Sequence, residues 1–464
     1  MSREPGAESR EPRALYSRFV LERLFALTSH RTTPARELQA GFTTFAAMAY
    51  ILAVNPGILA ETGMDRAALV TVTALSAATA TALMALLTNY PLALAPGMGI
   101  NSFFTYTICL GAGVPWRQAL GMVFVNGCIF LLLSVTGVRE RIIGAIPYSL
   151  KLAITSGIGL FIAFVGLRNG GVIVASPATF VTHGDFTSGP AALCLAGLAI
   201  TTVLVARRVP GAIVLGIAVT TLIGLAVPNG SGGTVTMWPA SIVSMPASPA
   251  PVFLQLDLRF LTSAPAFFKA LPLILTLLLV DMFDNIGTLI GVAKRAGLLE
   301  ADGTLARAGR VLVADSIAAI LSALLGTSTV VSYIESASGV EAGGRTGLTT
   351  LTTAACFLLA LVLTPLFLAV PASATAPALV VVGVFMVQSA VEIDMRDFAI
   401  AAPAVLTLLA IPLTFSIAEG IGLGLMATVV LAIGTGGARR LPAFTYVIAA
   451  VFFLQFFAIF PFNG

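Results

Sequence analysis

Fifteen apolar runs, separated by short polar or glycine- and proline-rich stretches, make up most of the chain. Seven lie in the first half, at about 38–60, 68–88, 98–113, 117–137, 148–167, 190–206 and 210–227. Eight lie in the second half, at about 268–293, 308–326, 328–342, 346–364, 375–391, 398–414, 417–436 and 443–462. About 20 helical residues cross the hydrocarbon core of a bilayer, so this pattern predicts an all-α polytopic membrane protein.

Two runs, 98–113 and 328–342, are too short for a full crossing. Both are rich in Gly or Ser and flanked by helix breakers, which is typical of discontinuous elements that line a cavity. In the second run, TVVSYIESASGV predicts a short extended piece followed by a half-helix. The N–H groups at the start of that half-helix, and the positive end of its dipole, would then lie at membrane depth.

The two halves of the chain also resemble each other at one offset. TTFAAMAYILAV, from Thr43, lies over DMFDNIGTLIGV, from Asp281, which gives 281 − 43 = 238. ATALMALL, from Ala80, lies over AAILSALL, from Ala318, which gives 318 − 80 = 238. An odd number of crossings in the first half makes the second half enter from the opposite side, so we predict an inverted repeat.

Composition and charge agree with a membrane protein. The chain has 464 residues, of which 58% are hydrophobic and 10% charged, whereas soluble domains carry about 25% charged residues. The net charge of +4 does not indicate nucleic-acid binding, because the basic residues lie singly or in pairs beside apolar runs. With a cytoplasmic N-terminus in the cell (inner) membrane, these loop residues all fall on the cytoplasmic side: Arg139, Arg141, Arg207, Arg208, Lys294, Arg295, Arg307, Arg310, Arg345, Arg439 and Arg440.

Three acids lie inside apolar segments. Asp281 and Asp284 share one face of a predicted helix, and Glu335 lies in the second short run. Since an unpaired acid at the bilayer centre costs roughly 2.5 to 3.5 kcal/mol, such residues usually face a cavity and mark a transport path. We expect Asp281 and Glu335 to bind substrate, and Asp284, with Glu335, to serve ion coupling or a polar network. The alternatives are acids that only hydrogen-bond neighbouring helices, and a Glu335 that only caps its helix.

APGMGINSFFTYT, residues 95–107, is the first-half counterpart of the segment around Glu335. Asn101 offers a donor and an acceptor, and Phe103 or Phe104 can stack on a flat ring or simply pack. Thr43, which matches Asp281 in the repeat, and Ser332 complete the predicted substrate site.

Other functional classes find little support. The chain has no P-loop, no HExxH and no GxSxG, and its cysteines show no metal or disulfide spacing, so we predict no enzyme activity, no cofactor and no metal. An anion transporter would need a cationic site, but 326–342 contains no Lys or Arg. A channel would need a continuous polar pore, which is not visible.

The chain closely resembles the AzgA-like purine permeases, a branch of the nucleobase/ascorbate transporter superfamily. The matching blocks are GFTTFAAMAYILAVNPGIL (41–59), PLALAPGMGINSFFTYT (91–107), IPYSLKLAITSGIGLFIAFVGL (146–167), VDMFDNIGTLIGVAKRAG (280–297), GTSTVVSYIESASGVEAGGRTGLT (326–349) and APALVVVGVFM (376–386). The resemblance implies a fold of seven-plus-seven inverted repeats with a core and a gate domain, and fourteen crossings. The fifteenth run would then lie along the membrane interface, unless two short runs form one crossing.

The same resemblance implies the function. Members of the family take up hypoxanthine, guanine or adenine with protons, and their purine-contacting acids fall on Asp281 and Glu335. Asp284 and Asn101 match further positions that the family needs. The expected partners are a purine nucleobase, a proton and the lipid bilayer, with no nucleic acid, and the sequence neither requires nor excludes a homodimer. Xanthine, uracil, an anion or sodium coupling remain as alternatives.

From the runs and the resemblance together we predict six regions. They are a cytoplasmic tail (1–30), the first core repeat (31–145), the first gate repeat (146–227), a periplasmic loop (228–265), the second core repeat (266–370), and the second gate repeat with the C-terminus (371–464).

Overall fold

The computed structural model describes residues 21–136, 147–230, 232–239, 241–296 and 307–456. Within these residues, nine helices are long and apolar enough to cross a membrane, and shorter apolar helices accompany them. Much of the predicted tail lies outside the described residues. Its last part packs, since Phe25 and Leu27 are buried in a cluster with Leu348.

Each of the seven predicted runs of the first half forms a helix or an interrupted segment, and a β-hairpin lies between two of them. In order these are α1 (Pro34–Met48), α2 (Ile51–Leu59), α3 (Arg66–Thr88), β1 (Leu94–Pro96), α4 (Met98–Ser102), a π-helix (Phe103–Gly111), α5 (Trp116–Thr136), α6 (Tyr148–Asn169), the hairpin β2 (Ile173–Ser176) and β3 (Phe180–His183), α7 (Gly189–Ala206) and α8 (Ala212–Gly224). Helices α1 and α2 form one interrupted crossing. The start of α1 follows from its sequence, because Thr33 accepts a hydrogen bond from the Arg36 N–H and Pro34 occupies the first turn.

The second half repeats this order. Its elements are α9 (Ala264–Ala296), α10 (Ala308–Leu325), β4 (Val330–Ser332), α11 (Ser336–Glu341), α12 (Gly347–Ala360), α13 (Thr364–Ala369), α14 (Ala372–Val387), α15 (Phe398–Thr414), α16 (Ile417–Gly434) and α17 (Ala443–Phe456). The two short runs form separate segments, so they do not merge into one crossing. Helix α17 is an addition to the repeated set.

Both interrupted segments are confirmed as a strand followed by a half-helix. β1 pairs with β4 in antiparallel register, with Leu94 opposite Ser332 and Pro96 opposite Val330. The π-helix that prolongs α4 was not predicted. The two halves of the chain are therefore joined by backbone hydrogen bonds where their interrupted segments cross.

The helices pack as two groups, each with members from both halves. The first bundle comprises α1–α5 and α9–α13 with both crossing strands, and α12 packs on α1 and α3 while α10 packs on α3 and α5. The second bundle comprises α6–α8 and α14–α16, with α14 and α15 packed on α6. Loop 228–265 contacts the first bundle, where Thr71 Oγ1 donates to the Ala247 carbonyl at 2.9 Å.

A buried carboxylate ties α1 to α12 inside the first bundle. Glu37 is fully buried, and its Oε2 accepts hydrogen bonds from the hydroxyls of Thr346 and Thr349 at 2.8 and 2.7 Å. Its oxygens also accept from the backbone N–H groups of Arg345, Thr346 and Thr349 at 2.9 to 3.3 Å. These N–H groups lie at or just before the first turn of α12, where backbone donors have few helical partners, so Glu37 completes the start of that helix.

Candidate functional site

The strand crossing positions the starts of the two half-helices. Beyond the paired residues, the Gly97 N–H donates to the Thr329 carbonyl and the Tyr333 N–H donates to the Ala93 carbonyl, both at 3.0 Å. A Cβ on Gly97 would lie 2.8 Å from the Val331 side chain, so only glycine allows the strands to approach this closely. α4 therefore begins beside β4, and α11 begins beside β1.

Glu335 lies immediately before α11 and is half-buried. Its Oε1 accepts a hydrogen bond from Tyr50 Oη at 2.6 Å. Tyr50 lies at the break between α1 and α2, and Pro56, which cannot donate a backbone hydrogen bond, follows within α2. The tyrosine thus orients one carboxylate oxygen of Glu335, and no cation pairs with this acid among the described residues.

Tyr50→Phe removes only the hydroxyl that holds Glu335. If Glu335 binds substrate, we expect binding to weaken roughly ten- to hundredfold, because a hydrogen bond to a charged group contributes roughly 1.5 to 3 kcal/mol and each 1.4 kcal/mol is tenfold. Thermal stabilisation of the purified variant by hypoxanthine measures this change. Phe45→Leu, five residues earlier and on α1, is the control. Equal binding by Tyr50→Phe and the native protein would show that the tyrosine does not orient the acid.

Asp281 lies in the middle of α9 and is 1% exposed. Its Oδ2 accepts a hydrogen bond from Asn126 Nδ2 of α5 at 3.1 Å. α9 also packs against α4, β4 and α11. Asp281 thus lies on a helix that contacts both interrupted segments.

Asn101 lies within α4 and is fully buried. Its Oδ1 accepts a hydrogen bond from Ser328 Oγ, which leaves the amide Nδ2 without a partner among the described residues. The hydroxyls of Ser102, Thr329 and Ser332 are likewise buried without a partner in that part of the chain. Because buried polar atoms in proteins are nearly always hydrogen-bonded, this concentration at the crossing is what a polar ligand site requires.

The remaining predicted residues are placed differently. Phe103 is fully buried at the start of the π-helix, within the main hydrophobic cluster. Thr43 is half-buried, and its hydroxyl donates to the Gln39 carbonyl of its own helix at 3.0 Å. The next residue, Thr44, packs against Gly339 of α11 instead. The side chain of Asp284 falls outside the described part of the structure.

The structure therefore places Asp281 on α9, and places Glu335, Asn101 and Ser332 on or beside the elements that α9 packs against. Two partners of the acids, Tyr50 and Asn126, were not predicted. Asn126 could have been noticed in the sequence, since it is the one amide in the apolar stretch ALGMVFVNGCIFLLL. The sequence gives no comparable sign for Tyr50, because its hydrogen bond to Glu335 depends on the break between α1 and α2.

Comparison with known proteins identifies relatives of nearly the full chain. The family model Xan_ur_permease, described as a permease family, matches residues 35–423. The putative permease MJ0326 of Methanocaldococcus jannaschii is 45% identical over 94% of this chain and 98% of its own length. The adenine permease AdeP of Escherichia coli is 42% identical over 94% of this chain and 96% of its own. The guanine/hypoxanthine permease PbuG of Bacillus subtilis is 42% identical over 92% and 97%.

Solved structures share the fold at low sequence identity. The transmembrane domain of the cyanobacterial bicarbonate transporter BicA superposes with a TM-score of 0.62 at 18% identity, over 86% of this chain and 97% of that one. SLC26A9 superposes with a TM-score of 0.59 at 13% identity, over 92% and 70%. The fold is thus the seven-plus-seven inverted repeat of these transporters. The chain belongs to the permease family of the nucleobase/ascorbate transporters, and it is a membrane transporter rather than an enzyme.

Proposed function

We propose that the protein imports purine nucleobases (hypoxanthine, guanine or adenine) by proton symport. The observation that carries this proposal is the placement of Asp281 and Glu335 on elements that meet at the strand crossing. In each acid, one carboxylate oxygen accepts a hydrogen bond from an uncharged side chain, Tyr50 for Glu335 and Asn126 for Asp281. Relatives named as adenine and as guanine/hypoxanthine permeases support the same substrate class.

The candidate site complements the edge of a purine. A purine presents ring N–H donors and imine acceptors in one plane, which a carboxylate oxygen and an amide N–H can bind together. Glu335 keeps one carboxylate oxygen beyond the Tyr50 bond, and the Asn101 Nδ2 is a buried donor. A base with a different pattern of donors and acceptors would leave buried polar groups of the site without partners, so its binding would be disfavoured.

The runner-up is an anion transporter, because the bicarbonate transporter shares the fold. A cationic site is absent from the described crossing, since 326–342 contains no Lys or Arg. Competition against labelled hypoxanthine in proteoliposomes separates the two functions. We expect unlabelled purines to compete and sulfate not to, and inhibition by sulfate alone would contradict the purine assignment.

We further propose that the first bundle, residues 31–145 and 266–370, is the core domain that carries substrate. The second bundle, together with α17, then belongs to a gate domain of residues 146–227 and 371–464, with a periplasmic loop at 228–265 and the N-terminus in the cytoplasm. The packing of each bundle within itself supports this division. Alternating access is movement of one bundle against the other around the site.

Proton coupling gives a direct prediction. We propose that Asp284, with Glu335, takes part in carrying the proton, because an acid within an apolar segment can bind a proton on one side of the membrane and release it on the other. Uptake of hypoxanthine into proteoliposomes should rise when the outside is acidified and collapse with a protonophore at constant sodium. Accumulation driven by a sodium gradient but not by a pH gradient would exclude proton symport.

A further inference from the structure

A polar cluster of side chains from α2, the π-helix and α6 joins the two bundles at one face of the protein. The Arg168 guanidinium donates to Glu61 Oε2 at 3.1 Å. Tyr106 Oη and Asn169 Nδ2 donate to the other oxygen, Glu61 Oε1, at 2.7 and 3.2 Å. Asn169 Nδ2 also lies 3.2 Å from Tyr106 Oη, and Arg168 lies over the Tyr106 ring, 5.0 Å from its centroid.

These four residues come from both bundles. Glu61 follows α2 and Tyr106 lies in the π-helix, both in the first bundle, whereas Arg168 and Asn169 end α6 of the second. The side chains of Arg168 and Glu61 are 39% and 30% exposed, so the pair lies at the rim. An exposed ion pair alone contributes little, but here one carboxylate takes three donors and the guanidinium also stacks on a ring.

An aromatic layer accompanies the ion pair. The rings of Tyr106, Phe161, Phe164 and Phe415 meet edge to face, with centroids 5.3 to 6.3 Å apart. Phe415 lies at the break between α15 and α16, in a left-handed backbone conformation that is uncommon for a non-glycine residue. Its carbonyl accepts a hydrogen bond from Thr107 Oγ1 of the π-helix at 3.1 Å. The gap between the bundles is thus filled as well as bridged at this face.

The π-helix links this cluster to the substrate site. It continues α4 without interruption, and α4 carries Asn101. If the core moves against the gate, α4 and the π-helix move with it. The contacts of Tyr106 and Thr107 with the second bundle must then break.

We propose that Glu61, Tyr106, Arg168 and Asn169 form a latch that closes one face of the transporter over the Phe415 layer and opens in every transport cycle. The inference rests on the core and gate division proposed above, but not on the identity of the substrate or of the coupling ion. With a cytoplasmic N-terminus, the crossing formed by α1 and α2 begins at the cytoplasmic side, and so does α6. The latch lies at the other ends of both, after α2 and at the end of α6, so the latched face is the outer one.

A reversible cross-link tests whether the latch must open. Glu61→Cys with Arg168→Cys is treated with a flexible bis-methanethiosulfonate reagent in proteoliposomes. We expect hypoxanthine uptake to fall at least tenfold and to return after reduction. The matched control replaces Asp257 and Arg259, an ion pair 2.6 Å apart within loop 228–265 at the same face, and should keep its uptake, as should native protein treated with the reagent. Full uptake with the latch cross-linked would overturn the proposal.

A second measurement needs no substrate, so it stays readable if the transported solute is not a purine. Glu61→Gln and Arg168→Gln should speed amide hydrogen exchange several-fold in Phe103–Gly111 and around Phe415. Exchange in α12, which lies away from the latch, should stay unchanged, and Asp257→Asn should alter neither region. Equal exchange at the π-helix in all variants would show that these residues do not hold the bundles together.

Discussion

Glu335→Gln should abolish measurable purine uptake while leaving the fold intact. The amide keeps the shape of the side chain and can still accept from Tyr50, so the packing around α11 is preserved. It replaces one carboxylate oxygen, which can accept a hydrogen bond from a purine N–H, with an amide NH2 group, which can only donate. We expect uptake to fall at least a hundredfold, near-native thermal stability, and no further stabilisation by hypoxanthine, since a ligand stabilises only a protein that binds it. Normal binding by this variant would place the site elsewhere.

Two aspartate variants complete this experiment. Asp281→Asn should lose binding as Glu335→Gln does, whereas Asp284→Asn should bind purine but transport it slowly. The difference follows from the roles proposed for them, in binding and in coupling. Equal loss of binding in all three variants would refute that division.

Glu37→Ala should cost the most stability of any single change on α1. It removes a fully buried carboxylate that accepts from two threonine hydroxyls and three backbone N–H groups at the start of α12. Each buried donor left without a partner costs roughly 1 to 3 kcal/mol, so a total loss of about 3 to 5 kcal/mol is expected even after partial rescue by water. Thermal unfolding in detergent, followed by tryptophan fluorescence, measures the loss.

Asp397→Ala is the matched control for Glu37→Ala. Asp397 also caps a helix with its carboxylate, but it is exposed and accepts one hydrogen bond, from the Ala399 N–H at 2.9 Å. Removal of such a cap costs about 1 kcal/mol. Similar losses in the two variants would mean that burial and the number of donors at Glu37 do not matter.

The sequence predicted the architecture well because membrane crossings follow from local composition. Each apolar run became a helix or an interrupted segment, and the extended piece before the second half-helix is confirmed as β4. The repeat offset of 238 also appears in the structure, since α4 begins at Met98 and α11 at Ser336, and 336 − 98 = 238. Local patterns were sufficient for these features because backbone polar groups within a bilayer must be satisfied in a few regular ways.

Features that depend on contacts between distant residues were not predictable. Glu37 looks like an ordinary acid in a first helical turn, and only the fold reveals that it completes a helix more than 300 residues away. Tyr50 and Asn126 gain their significance from the acids that they contact. The six domain boundaries and the roles of the predicted site residues remain predictions, because packing alone does not distinguish a binding residue from a structural one.

The pairing of β1 with β4 has a consequence for how the protein is made. Leu94 is opposite Ser332, so its partner strand is synthesised 332 − 94 = 238 residues later. Until then, the backbone groups of this segment that face β4 lack the hydrogen bonds that a lipid environment demands, although Leu94 bonds Thr81 of its own half. The amino-terminal half cannot complete its own third segment during translation, and it must be held in a shielded state until the second half is inserted. Expressed alone, that half should be recognised as unfinished and degraded, although it contains all seven hydrophobic runs of the first repeat.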